Sequence, residues 1–140
     1  MPLNLAVLNP NAALKIIENY PDIKNWYVGG HSLGGSMAAS FASSHPDKIK
    51  GLILLASYST NKLNSTKVLS IYGSNDKILN LEKYENYKEN IKNNLSEHII
   101  DGGNHSNFGN YGFQDGDGKS TISNINQITT TAQKIFEFIF

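Results

Sequence analysis

Three residues carry the chemistry this chain could do. Ser32 lies in Gly30-His31-Ser32-Leu33-Gly34, Asp76 in Gly73-Ser74-Asn75-Asp76, and His105 in Asp101-Gly102-Gly103-Asn104-His105. A serine hydroxyl is a poor nucleophile alone and needs a base to take its proton. That base needs a third group to orient it. Serine, then an acid, then histidine is one of the chain orders in which such a set occurs. The chemistry it would do is acyl transfer through a serine-bound intermediate.

The elements around each residue must then bring them together. Asn25 to Gly29 is a short apolar strand, and Leu33 to about Ser44 is a helix rich in small residues. Ser32 therefore falls on a sharp strand-to-helix turn. Glycines on both sides of it are expected where Cβ atoms would collide as the strand doubles back. The same turn aims the first free amides of the helix at one point, which favours a developing oxyanion, and the Leu33 N–H is the donor expected there. Gly51–Ala56 and Lys67–Tyr72 are continuous apolar runs, as in strands covered on both faces. Glu97–Ile100 is the last strand.

Helices alternate with these strands. Asn9-Pro10 is a helix start, with Asn9 as N-cap, and Pro21 ends that helix. Leu79 to about Asn94 is helical, with Leu81, Tyr84, Tyr87, Lys88 and Ile91 along one stripe. A glycine-rich loop covers residues 106–122, and a final helix starts near Ser123, with Ile125, Ile128, Ala132, Ile135, Phe136 and Ile139 on its apolar face. The expected fold is a single α/β domain over residues 1–140 with a doubly wound, mostly parallel sheet. Ligands bind such sheets at the carboxyl ends of the strands, and Ser32, Asp76 and His105 all fall there.

Each candidate has rivals. A turn serine that caps a helix accounts for Ser32 but not for the glycines around it. Asp101 and Asp47 compete with Asp76, whereas the loop Ser57-Tyr58-Ser59 carries no carboxylate. His98 lies inside a strand and His45 precedes a helix-stopping proline. His31 adjoins the nucleophile too closely to face it, and is expected to pack and hydrogen-bond beside the turn. Tyr111, Phe108 and Phe113 could line an acyl pocket or simply pack the loop. Gly116-Asp117-Gly118-Lys119-Ser120 is like the end of a phosphate-binding loop, but Phe113 stands where the first glycine belongs. Asp115 to Gly118 lacks the spacing and closing glutamate of a calcium loop. Both are read as loop-shaping.

Composition narrows the function further. The formal net charge is zero, which leaves no electrostatic case for nucleic acid or an anionic membrane surface. There is no cysteine, so disulfides and cysteine metal sites are excluded. No apolar run approaches the ~20 residues of a membrane helix.

The chain also resembles a known family. Met1-Pro2-Leu3-Asn4-Leu5-Ala6-Val7, Gly29-Gly30-His31-Ser32-Leu33-Gly34-Gly35 and Gly102-Gly103-Asn104-His105 carry the likeness, with Phe108-Gly109, Tyr111-Gly112 and Gly116-Asp117-Gly118. Together they look like the α/β-hydrolase fold-5 family, which groups with dienelactone-hydrolase-like and esterase-like proteins. The resemblance implies Ser32 as nucleophile, Asp76 as acid and His105 as base. It implies a small-molecule ester or acyl substrate and no metal or organic cofactor. Family members have further strands before Met-Pro-Leu-Asn-Leu, with a glycine-rich turn that supplies the second oxyanion donor, and some begin with a membrane anchor. The chain thus looks like the C-terminal part of the fold, lacking the N-terminal strands, with a buried strand left as an edge. The leading expectation is a serine hydrolase of carboxylic esters. The alternatives are a non-catalytic fragment or binding module that keeps the turn, and acyl transfer in place of hydrolysis.

Overall fold

The structure is a computed structural model and describes residues 12–91 and 94–140. Its elements are α1 (Ala12–Asn19), β1 (Tyr27–His31), α2 (Leu33–Ser44), β2 (Gly51–Leu55), β3 (Lys67–Gly73), α3 (Leu81–Tyr87), β4 (Leu95–Ile100) and α4 (Asn124–Ile139). The helix start expected at Asn9-Pro10 lies outside the described residues. The strands form one parallel sheet in the order β1-β2-β3-β4. Parallel neighbours need a crossover, so the chain passes over a sheet face between successive strands.

Both faces are covered, which explains the unbroken apolar runs of β2 and β3. Register places Val28, Leu52, Val68 and Leu95 in one row. On that face Leu52, Leu54 and Val68 pack with Ala39, Phe41 and Ala42 of α2 and with Leu14 and Ile17 of α1. Ile53, Leu69, Ile71 and Ile100 face the other way, against Ile135, Phe138 and Ile139 of α4. Fully burying each such side chain contributes about 1.5–3 kcal/mol.

Two helices differ from expectation. The third ends at Tyr87 and continues only as a short 3₁₀ turn, Lys88–Asn90. Within it Tyr84 and, beyond it, Ile91 are buried, but Leu81 is exposed. The Tyr84 hydroxyl donates to Glu97 Oε1 at 2.6 Å and lies 2.9 Å from Ser70 Oγ. On α4, Ile125 and Phe136 are exposed, and Gln127 and Thr131 are buried instead. A buried glutamine needs hydrogen-bond partners, and those of Gln127 lie in the loop that carries His105.

Candidate active site

Ser32 adopts φ 53° and ψ −123°, a conformation that side-chain-bearing residues rarely hold. Its backbone is tied on both sides to the end of β2. The Ser32 N–H donates to Leu55 O at 2.9 Å, and Ser57 Oγ donates to Ser32 O at 2.8 Å. The tightness of the turn shows in its neighbours. A Cβ on Gly30 would come within 2.4 Å of the Gly34 carbonyl carbon, and one on Gly35 within 2.6 Å of Ser57 Cβ. Gly34, by contrast, faces open space. The close approach falls on Gly30 and Gly35, so the glycine two places after Ser32 is not sterically required.

Strand β1 extends through His31, so Ser32 stands immediately beyond its carboxyl end. Helix α2 starts at Leu33, and the first amides of a helix have no partner inside it. Ser32, Leu33, Ser57, Tyr58, Leu79 and His105 line one cleft of about 240 Å³. A larger hollow, about 510 Å³, lies at the opposite end of the sheet, between Lys67, Asn94, Lys134 and Phe138. It holds none of the expected catalytic side chains.

Asp76 and His105 meet directly. His105 Nδ1 lies 2.9 Å from Asp76 Oδ2, with both side chains 1% exposed. The second oxygen, Asp76 Oδ1, accepts the N–H groups of Ile78 and Leu79 at 2.8 Å each. Nε2 of His105 is buried and makes no hydrogen bond, so the bond from Ser32 Oγ to Nε2 is not closed. Unliganded sites commonly show this looser geometry. Asp101 is exposed and contacts Ser74 Oγ at 3.3 Å, and Asp47 is exposed beside Lys48. His45 caps α2 and stacks on Phe41, and His98 lies within β4.

The loop after His105 is pinned rather than loose. Asp117 accepts from the Ser106 N–H at 2.8 Å, Ser106 Oγ at 2.7 Å, Lys77 N–H at 3.2 Å and Gly118 N–H at 2.7 Å. Burial raises its pKa, but the hydrogen bonds from Ser106, Lys77 and Gly118 outweigh this and hold it below the usual carboxylate value. Thus one carboxylate grips the backbone beside both Asp76 and His105. Gln127 does the same from α4, accepting the Asn104 N–H at 3.0 Å and donating to Asn104 O at 2.8 Å. No pattern in the sequence marks Gln127, and the glycine-rich stretch around Asp117 marks it only as loop-shaping.

His31 packs beside the turn, as expected. Its ring lies 4.5 Å from that of His105 and 5.5 Å from that of Phe108, and its Nδ1 is 2.5 Å from the Tyr111 hydroxyl. Burial, and then the proximity of His105, push its pKa down to about 4. Phe108 and Tyr111 therefore flank His31 and do not line the cleft, and Phe113 is exposed. Among the described residues no cluster of histidine, cysteine and carboxylate side chains could hold a metal ion. None of the described helices is long and apolar enough to cross a membrane.

The model of the alpha/beta hydrolase family matches residues 1–129. The chain belongs to this family. Among solved structures, the predicted CIB-like hydrolase of Thermoplasma acidophilum is 19% identical, with a TM-score of 0.58 and 90% of this chain and 60% of that one covered. A carboxylesterase structure from Nitrososphaera gargenis is 12% identical (TM-score 0.63), covering 92% of this chain and 69% of that one. The Paleococcus ferrophilus monoacylglycerol lipase is 14% identical (TM-score 0.62), covering 90% and 73%. At these identities the likeness is one of fold, and this alpha/beta hydrolase chain spans 60% of the length of the Thermoplasma protein. No curated protein matches it.

Proposed function

We propose that the chain carries the catalytic part of a serine hydrolase acting on carboxylic esters, with Ser32 as nucleophile, His105 as base and Asp76 as the acid that orients it. The observation that carries this reading is the Asp76–His105 bond, which leaves Nε2 of His105 without a partner on a side chain that lines the same cleft as Ser32. Ser32 Oγ attacks the ester carbonyl carbon as its proton passes to His105 Nε2, and the carbonyl π pair moves onto oxygen. The Leu33 N–H at the start of α2 donates to that oxyanion. Its collapse breaks the bond to the alcohol oxygen, which takes the proton from His105 and leaves an acyl-Ser32. Water attacks the acyl carbon with His105 again as base, releasing the acid and restoring Ser32.

Turnover of a short-chain p-nitrophenyl ester tests this. Release of p-nitrophenol that disappears in Ser32→Ala and in His105→Ala supports it. Release that survives in both variants, or is absent from the folded protein, contradicts it. The second outcome favours the binding-module reading, for which the unclosed Ser32–His105 bond is the motivating observation.

A further inference from the structure

His31 is the residue of the turn that the proposed reaction leaves unused. Its imidazole is hemmed in by three rings: His105 at 4.5 Å and 48°, Phe108 at 5.5 Å and 36°, and Tyr111 at 5.8 Å and 29°. One nitrogen, Nδ1, bonds the Tyr111 hydroxyl, a contact that neutral His31 can make in either tautomer. The other, Nε2, is buried without a partner. A residue with no reacting neighbour on its free nitrogen is poorly placed as a second base. Its ring, however, lies 4.5 Å from the ring that would carry the proton, tilted against it at 48°.

We propose that His31 is a positioning residue for His105: anchored by the Tyr111 hydroxyl, its neutral imidazole holds the His105 ring in place and supports the positive charge that ring acquires. The idea rests on His105 being the base. A neutral aromatic ring attracts a neighbouring cation, whereas a protonated His31 would repel one. The groups that bear on the His31 charge are its partner His105, whose ring charge lowers its pKa and whose backbone raises it, and Asp76 and Asp117, which raise it. Tyr111 faces it as well, and burial keeps that phenol protonated by raising its pKa. Burial of His31 and the proximity of the His105 ring outweigh the two carboxylates and the His105 backbone, so His31 stays neutral down to about pH 4. Tyr111 thereby also fastens the loop after His105 onto the end of β1.

The test is the titration of the His105 ring, read by nitrogen NMR on the full chain without substrate. In His31→Ala the His105 pKa falls by roughly 0.5 to 1 unit, and in His31→Phe, which keeps an aromatic face, most of that shift is recovered. Tyr111→Phe replaces an exposed residue and removes only the anchor, so it moves the titration the same way by a smaller amount. Phosphonylation of Ser32 by a fluorophosphonate slows by about 3- to 10-fold in His31→Ala and recovers in His31→Phe. A His105 titration that is unmoved in both His31→Ala and Tyr111→Phe overturns the proposal. So does a His31→Phe protein as impaired as His31→Ala. Because the titration needs no reaction, a shifted His105 in a chain that never labels would refute the hydrolase reading and keep the coupling. A labelling chain with an unmoved His105 would refute the coupling alone.

Discussion

The carboxylate of Asp76 and the imidazole of His105 meet because their two loops touch backbone to backbone. A Cβ on Gly73 would fall 2.3 Å from Gly103, and the Asn75 N–H donates to Gly103 O at 2.8 Å. The 2.9 Å bond between the side chains is thus set by main-chain contacts on either side of it. Asp76→Asn keeps the shape and, with its one oxygen on the Ile78 and Leu79 N–H groups, turns an amide N–H₂ toward Nδ1. Turnover should fall on the order of 10³- to 10⁴-fold with little change in KM. Steady-state kinetics alongside a thermal melt check this. A variant within tenfold of the parent would remove Asp76 from the mechanism.

Strain at Ser32 makes a separate prediction. Its positive φ is a conformation that glycine adopts without penalty. Ser32→Gly should therefore be more stable than Ser32→Ala by about 1 kcal/mol, even though glycine gains more freedom on unfolding. Chemical denaturation of the two variants measures the difference. Equal midpoints would mean that the turn is not strained.

Asp117 holds five donors across two loops, the N–H groups of Lys77, His105, Ser106 and Gly118 and the Ser106 hydroxyl. Asp117→Ala leaves those groups unmatched and should destabilise the protein by about 2–4 kcal/mol. Ester turnover should drop by roughly tenfold even where the variant remains folded, because the neighbours of Asp76 and His105 are no longer fixed. Activity unchanged in the folded variant would show that Asp117 is a loop brace without influence on the site.

The lowered His31 pKa predicts a pH dependence of stability. In the unfolded chain His31 titrates near 6.5, and in the folded protein at about 4. Between those values the unfolded state binds the extra proton, so stability is full above pH 6.5 and declines as pH falls toward 4. Melting temperatures across that window should fall more for the parent than for His31→Phe. Parallel curves would show that His31 is not held neutral.

Much of this architecture can be read along the chain. The unbroken apolar runs at Gly51–Leu55 and Lys67–Gly73 reveal strands covered on both faces. Ser32, Asp76 and His105 declare themselves by falling where three strands end. Other features depend on partners remote in sequence. Gln127 interrupts the apolar stripe expected on α4, because the main chain at Asn104 needs its amide more than the core needs another isoleucine. The stripe on α3 breaks at Leu81, which is exposed, while Tyr84 turns its hydroxyl inward to Ser70 and Glu97. His31 could be placed beside the turn, but its bond to Tyr111 joins residues that no local pattern connects. Of the two glycines that follow Ser32 in the turn, Gly35 and not Gly34 makes the close approach, a distinction visible only once Ser57 is in place.

The proposed reaction depends above all on Ser32 being a nucleophile activated by His105. A fluorophosphonate probe followed by peptide mass spectrometry measures that directly. One adduct is expected, located on Ser32, that is absent in Ser32→Ala and formed far more slowly in His105→Ala. A folded chain that forms no adduct, or one whose adduct lies on another residue and persists in Ser32→Ala, would contradict it.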